Sequence, residues 1–115
     1  MNQTIYKILP RPLWEDAKAK GRLDGAPVDL SDGFIHFSTS AQVRETAERH
    51  FAGVDDLVLV AVDPAPLGEA LKYEKSRGGA LFPHLYASLP VDAVLWVEDL
   101  SIGPDGHHLF PGAMR

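Results

Sequence analysis

The sequence contains no cysteine, no long apolar run and no cluster of basic residues. Without cysteine, the chain forms no disulfide, no thiolate nucleophile and no cysteine-ligated zinc site. No window approaches the roughly 20 consecutive apolar residues of a membrane-spanning helix, and residues 1–9 lack the apolar segment of a secretory signal. These absences predict a cytoplasmic protein that does not enter a membrane.

The charge balance argues against one further class of partner. The sequence has 11 Lys and Arg residues and 16 Asp and Glu residues, which gives a formal net charge of −5. Proteins that bind nucleic acid in bulk place cations against the phosphates and release counterions. The composition therefore predicts no bulk nucleic-acid binding, and it does not select an oligomeric state; the expectation of a small-molecule ligand comes from the candidate residues below.

What is present indicates one α+β domain over residues 1–115. A chain of 115 residues with 45% hydrophobic and 23% charged side chains suits a single core. The patterns predict a strand at 5–9, a helix at 13–20, a strand at 34–38 and a helix at 41–51. Mostly strands follow, beginning with the apolar run 57–62. Two main helices near the N-terminal half, followed by strands, favour α+β over a regular alternation of strands and helices.

Other segments are predicted with less regular patterns. Residues 22–31 hold glycine, proline and polar residues and are predicted to form a loop. A short strand is expected at 71–74, and Pro83 is expected to break the segment 80–86. A buried strand is expected at 93–97, and the Asp-Gly pair within 100–110 indicates a hairpin turn.

His36 is the first candidate for chemistry. Side chains alternate across a strand, so His36 and Ser38 are expected on one face, with Thr39 following. A histidine and a hydroxyl held rigidly there could bind a ribose hydroxyl or a carboxamide. The alternative is that His36 is a hydrogen-bonded histidine of the core.

Glu74 is the second candidate, because it ends a short strand just before a loop. A carboxylate there could orient a hydroxyl or act as a base. The alternative is a surface glutamate paired with Lys72 or Lys75.

The loop that follows is the third candidate. Gly78 and Gly79 allow backbone amides to approach a ligand closely, and the guanidinium of Arg77 fits a phosphate. The alternative is a turn with an exposed arginine.

The fourth candidate is the segment that carries Phe82, His84 and Tyr86. It supplies a second histidine and aromatic rings that could stack on a ligand, or it is a structural bend with core aromatics. No ligand spacing such as His-Glu-x-x-His is present, so no metal site is predicted.

These residues together resemble a known family. The sequence at 32–39 (Asp-Gly-Phe-Ile-His-Phe-Ser-Thr), at 74–79 (Glu-x-Ser-Arg-Gly-Gly) and at 82–86 (Phe-Pro-His-Leu-Tyr) is similar to the bacterial family called domain of unknown function 952. The resemblance covers nearly the whole chain, and that family has no established activity. Its fold resembles that of ADP-ribosyltransferase-like domains, including the RNA 2′-phosphotransferases. The resemblance implies a split, strongly bent β core with a cleft shaped for a nicotinamide nucleotide.

The resemblance also implies a function, with two departures. The chain has Lys7 where the first strand of the phosphotransferases carries a histidine, and only Arg77 could replace their phosphate-binding arginines. We expect a nucleotide or NAD-derived ligand, with NAD or ADP-ribose as a substrate, in a cleft lined by His36, Glu74, Arg77 and His84. The catalytic candidates are His36, Glu74 and His84. The alternatives are a non-catalytic binding module and a metal-dependent hydrolase.

Overall fold

The computed structural model describes residues 3–112, apart from the side chain of Arg77. The strands of this part of the chain are β1 (Ile5–Pro10), β2 (Arg22–Leu23), β3 (Ile35–His36), β4 (Ser38–Thr39), β5 (Leu57–Val62), β6 (Leu71–Lys75), β7 (Leu81–Leu85), β8 (Leu89–Pro90) and β9 (Val94–Leu100). The helices are α1 (Arg11–Lys20), α2 (Pro27–Asp32) and α3 (Val43–His50), with 3₁₀ turns at Ala65–Ala70, Arg77–Gly79 and Val91–Ala93. The α+β prediction is confirmed.

The strands form three antiparallel sheets. The largest has the order β4-β1-β5-β9, the second β3-β7-β6, and the third pairs β2 with β8. Strands β3 and β4 are separated only by Phe37, yet they belong to different sheets. The chain therefore bends at Phe37, whose amide donates to the carbonyl of Pro83 at 3.0 Å. The prediction of one continuous strand at 34–38 was wrong at this residue.

Pro83 lies inside β7, so the predicted break was also wrong. A residue in an antiparallel ladder points its N–H and C=O groups to the same side. The Pro83 carbonyl faces Phe37, the residue between β3 and β4. The missing N–H of Pro83 therefore faces the bend at Phe37, outside the paired residues of β3.

The largest sheet buries both faces, as the apolar run 57–62 predicts. Val58, Val60 and Val62 pack in the cluster that contains Trp14 of α1 and Leu85 of β7. The alternate side chains, Leu57, Leu59 and Ala61, pack with Val43 and Ala47 of α3. The second sheet thus covers one face of the first, and α3 covers the other.

The prediction of a loop at 22–31 was wrong, because this segment forms β2 and most of α2. Pro27 opens α2, where the fixed φ of proline suits a first helical turn. The carboxylate of Asp29 accepts the amide of Ala26 at 2.8 Å and so caps the helix N-terminus. The helix ends at Gly33, whose φ of 88° suits glycine.

A hairpin turn follows β9. Strand β9 runs to Leu100, beyond the predicted 93–97, and a single bridge pairs Ile102 with His108. Gly103 donates to His107 at 2.7 Å across the predicted Asp-Gly turn. Among residues 3–112, no helix has the length and apolar character needed to cross a membrane.

Candidate functional site

The three-stranded sheet has one apolar face and one polar face. Ile35 pairs with Leu85 in the register, and both side chains enter the core. The next row pairs His36 with His84, and His84 with Lys72. Because paired residues of antiparallel strands share a face and successive residues alternate, these three side chains lie on the face opposite the core.

Aromatic and histidine rings pack closely on this polar face. Phe34 stacks on His84 with ring centroids 4.1 Å apart, and it lies 4.6 Å from His36 and 5.2 Å from Tyr86. The two imidazoles meet edge to face at 5.7 Å. We call Phe34, His36, Glu74, His84 and Tyr86 the histidine cluster.

Two carboxylates hold the ring of His36. Its Nδ1 atom lies 2.6 Å from Asp29 Oδ1, and its Nε2 atom lies 2.9 Å from Asp32 Oδ2. A ring with hydrogens on both nitrogens satisfies both contacts. Asp29 also accepts the amides of His36 and Ala26, and it pairs with Lys7 Nζ at 3.0 Å.

Asp29 and Lys7 form a buried ion pair beneath the cluster. Their side chains are 1% and 6% exposed, respectively. Burial alone would raise the pKa of Asp29, but the hydrogen bond from His36, the charge of Lys7 and the two backbone amides outweigh it and lower the pKa to about 2. Burial lowers the pKa of Lys7, and Asp29 opposes that change. Lys7 also donates to the carbonyl of His36 at 3.0 Å, so the pair fixes both the backbone and the ring of His36.

Glu74 holds the ring of His84. The His84 Nδ1 atom lies 2.8 Å from Glu74 Oε1, and the same oxygen accepts the hydroxyl of Tyr86 at 2.7 Å. Hydrogen bonds from Tyr86 and then from His84 lower the pKa of Glu74, with a smaller contribution from the charge of Lys72. The hydrogen bond to Glu74 raises the pKa of Tyr86.

His84 is buried but has one available nitrogen. The residue is 5% exposed, and its Nε2 atom has no hydrogen-bond partner among residues 3–112. No fully buried side-chain nitrogen or oxygen in that range lacks a partner, so Nε2 faces space that solvent reaches. When Nδ1 donates to Glu74, the neutral ring leaves a lone pair on Nε2. That atom can accept a hydrogen bond or a proton.

The structure brings together most of the predicted catalytic and aromatic residues. His36, Glu74, His84 and Tyr86 meet in the histidine cluster. Phe82 is the register partner of Glu74 and lies on the same face of the sheet. Residues from two distant stretches of sequence therefore converge.

Ser38 and Thr39 lie elsewhere. They form β4 in the larger sheet, and the Ser38 hydroxyl is 2.9 Å from the hydroxyl of Thr46 in α3. The amide of Thr39 donates to the side chain of Gln42 at 3.0 Å. The expectation that His36 and Ser38 share one face was wrong, because the bend at Phe37 separates them.

The glycine loop lies at the tip of the β6–β7 hairpin. The side chain of Arg77 lies outside the described part of the structure. Gly78 and Gly79 have φ values of 68° and 82°, and Gly79 donates its amide to the carbonyl of Ser76 at 2.8 Å. The loop begins two residues beyond Glu74, about 7 Å along the strand. Because the amide of Gly79 donates to Ser76 within the turn, it is not available to a ligand in this structure.

The sequence analysis did not predict three residues that contribute to the site. Asp29 and Asp32 bind the ring of His36, and Phe34 stacks on His84. The available signal for Asp29 was its position two residues after Pro27, which is typical of a first helical turn. Phe34 belongs to the quoted motif but has no polar group.

A cavity lies apart from the histidine cluster, between α3 and the C-terminal turn. Its volume is about 400 Å³, and no predicted site residue lines it. The lining residues are Arg44, Ala47, Glu48, Ala52 and residues 106–110.

The described residues do not form a metal site. Within residues 3–112, no three His, Asp or Glu side chains are placed to hold one metal ion. The geometry therefore gives no support to the metal-dependent hydrolase.

Comparisons with known proteins identify relatives but no activity. A family model described as protein of unknown function (DUF952) matches residues 8–97, which include the whole histidine cluster. No curated protein matches the chain. Protein CC0527 from Caulobacter crescentus, in its crystal structure, is 53% identical in sequence to this chain, and the two structures superpose with a TM-score of 0.89. The match covers 93% of this chain and 94% of CC0527. The solution NMR structure of CC0527 is 55% identical with a TM-score of 0.82, covering 90% of each chain.

Proposed function

The chain belongs to the DUF952 family of proteins of unknown function, and we propose that its histidine cluster binds a nucleotide or NAD-derived small molecule. One observation carries the proposal: the Nε2 atom of the buried His84 has no partner within residues 3–112 and is open to solvent. Because Glu74 fixes the ring through Nδ1, the lone pair of Nε2 points in one direction toward solvent. A ligand that donates a hydrogen bond would complete this histidine.

The surroundings of His84 favour a ligand with a ring, hydroxyl groups and negative charge. Phe34 and the half-exposed Tyr86 supply aromatic surface for a base or a nicotinamide ring. A ribose hydroxyl or a carboxamide N–H can donate to His84. The exposed ammonium of Lys72 is on the same face, and no carboxylate lies within 4.0 Å of it among the described residues. It is therefore available to a phosphate, with Arg77 as a second candidate.

The fold supports a likeness to ADP-ribosyltransferase-like domains at one point. The chain passes from the three-stranded sheet to the larger sheet through the bend at Phe37, and the histidine cluster lies beside that bend. This arrangement is what a split, bent β core requires. Both sheets share one hydrophobic cluster, with Ile35 and Val60 as examples, which supports a single domain over residues 1–115.

A binding experiment tests the proposal. Isothermal titration with AMP, ADP-ribose, NAD and nicotinamide should give saturable heat for at least one ligand. His84→Gln should weaken that binding about tenfold, the equivalent of one lost hydrogen bond. His107→Gln is the matched control, because His107 is exposed in the C-terminal turn. Absence of saturable heat with all four ligands at millimolar concentration would remove the proposal. A ligand bound without any product formed would identify a non-catalytic module.

A further inference from the structure

The two histidines of the cluster are held in the same way. Each ring places its Nδ1 atom against a carboxylate, at 2.6 Å from Asp29 for His36 and at 2.8 Å from Glu74 for His84. A carboxylate on Nδ1 fixes the orientation of the ring and leaves Nε2 as the working atom. His36 and His84 are also register partners on adjacent strands, so their rings are fixed relative to each other.

The two Nε2 atoms differ in what they face. The Nε2 atom of His84 is unpartnered within residues 3–112 and suits an acceptor of a proton. The Nε2 atom of His36 faces Asp32 at 2.9 Å, and this contact is satisfied when Nε2 carries a hydrogen. Asp32 is about half exposed and can be replaced by an oxygen of a bound ligand. One ring is therefore arranged as a proton acceptor and the other as a proton donor.

We infer that His84 and His36 are the general base and general acid of a phosphodiester hydrolysis, and that the substrate is a nucleoside 2′,3′-cyclic phosphate. This inference rests on the proposed nucleotide site. Asp29 and Glu74 act through the rings and are positioning residues. The two imidazoles lie on one face of the sheet with ring centroids 5.7 Å apart, so one bound phosphate can contact both.

The proton transfers balance as follows for water as the nucleophile. The water oxygen forms a bond to phosphorus while His84 Nε2 takes one of its protons. The bond between phosphorus and one ribose oxygen breaks, and that oxygen takes the electron pair and the proton from His36 Nε2. One water is consumed and one phosphomonoester is formed. Proton exchange with solvent then restores both rings.

The need for an acid separates this substrate from NAD. When the glycosidic bond of NAD opens, nicotinamide leaves as a neutral molecule and needs no proton. A phosphodiester releases an alkoxide, which does need one. A donor such as His36 therefore favours the phosphodiester.

The charge of the chain favours a small phosphodiester over a polymer. The net charge of −5 opposes binding along a polynucleotide. Lys72, an exposed cation on the face of the cluster, is suited to the single charge of a cyclic phosphate. A mononucleotide fits both observations.

The test follows the opening of 2′,3′-cyclic AMP by phosphorus NMR. We expect turnover by the unmodified chain and a loss of 100-fold or more in His84→Gln and in His36→Gln. His107→Gln, purified in the same way, should keep full activity and so controls for the loss of a histidine as such, whereas a contaminating nuclease would leave all three variants equally active. In His84→Ala, added imidazole should restore part of the rate, which a purely structural role of His84 would not allow. Because His84 is buried, the glutamine variant keeps the test valid if the alanine variant fails to fold.

Binding of 3′-AMP, measured by titration, separates the two proposals. Binding without any opening of the cyclic phosphate would overturn the acid–base assignment and leave the nucleotide site standing. Release of nicotinamide from NAD at a rate unaffected by His36→Gln would also overturn it. Absence of binding by every nucleotide tested would overturn the site itself.

Discussion

The Nδ1 atom of His36 lies 2.6 Å from Oδ1 of Asp29, seven residues earlier in the chain. Asp29 is buried and also accepts two backbone amides and the ammonium of Lys7. The carboxylate thus joins β1, α2 and β3 at one point. The orientation of the proposed acid depends on a residue that itself cannot reach the ligand.

Asp29→Asn should change the acid stability of the protein. The pKa of Asp29 is about 2 in the folded chain against the ordinary 3.8. A lowered pKa stabilises the fold above pH 4, and that contribution is lost as pH falls from about 4 to 2. Its size is about 2 kcal/mol. Urea unfolding at several pH values should therefore show a shallower loss between pH 4 and 2 in the variant.

Other carboxylates titrate over the same range, so the comparison needs a control. Asp92→Asn changes an exposed carboxylate outside this network and should keep the slope of the unmodified chain. Equal slopes in Asp29→Asn and the unmodified chain would contradict the role of the buried carboxylate.

Gly25→Ala should cost more stability than a glycine replacement at an open position. Gly25 has φ +133°, and an added Cβ would lie 2.8 Å from Cβ of Asp29. Gly106 also has a positive φ, but nothing lies within 4 Å of its added Cβ. Backbone strain of about 1–2 kcal/mol is expected in both variants. The contact with Asp29 should add about 1–3 kcal/mol at Gly25 alone. Denaturant unfolding measures both, and equal losses would show that the close approach carries no cost.

Sequence patterns predict elements well where one local rule decides the structure. The run 57–62 is apolar at every position, and it forms β5 with those bounds. The break predicted at Pro83 failed because the outcome depended on a group distant in the sequence. Pro83 is tolerated in β7 because its missing N–H faces the bend at Phe37, which no local pattern of β7 describes.

The same distinction holds for the candidate site. His36, Glu74 and His84 were selected from their residue types and motifs, and the structure brings them into one cluster. Asp29 escaped selection because its ion-pair partner Lys7 is 22 residues away. Alternation along 34–38 placed Ser38 beside His36, but alternation holds only while the chain stays in one sheet.

Phe34→Leu should weaken nucleotide binding while leaving the fold intact. Leucine keeps apolar volume against His84 but loses the flat ring, whose centroid is 4.1 Å from that of the imidazole. Loss of an aromatic pair is worth about 0.5–1.5 kcal/mol, so affinity for AMP should fall roughly two- to tenfold. Phe110→Leu is the control, because Phe110 lies in the separate cavity near α3. Equal affinities in the two variants would exclude Phe34 from the binding surface.

Tyr86→Phe should raise the pKa of Glu74 toward its ordinary value of 4.5. The hydroxyl of Tyr86 donates to Glu74 Oε1 at 2.7 Å, and it is the largest cause of the lowered pKa of that carboxylate. Because the lowered pKa favours the charged carboxylate, Glu74 should become protonated at a higher pH once the hydroxyl is gone. A carbon-13 NMR titration of the glutamate carboxyl resonances measures the change directly.

The control for this last prediction is Tyr73→Phe. Tyr73 is an exposed tyrosine one residue before Glu74 on β6, so its side chain points to the opposite face of the sheet. Its replacement should leave the titration of Glu74 unchanged. If both variants titrate like the unmodified chain, the hydroxyl of Tyr86 does not stabilise the charged form of Glu74. The hydrogen bond from Nδ1 of His84 would then be the contact that keeps Glu74 charged.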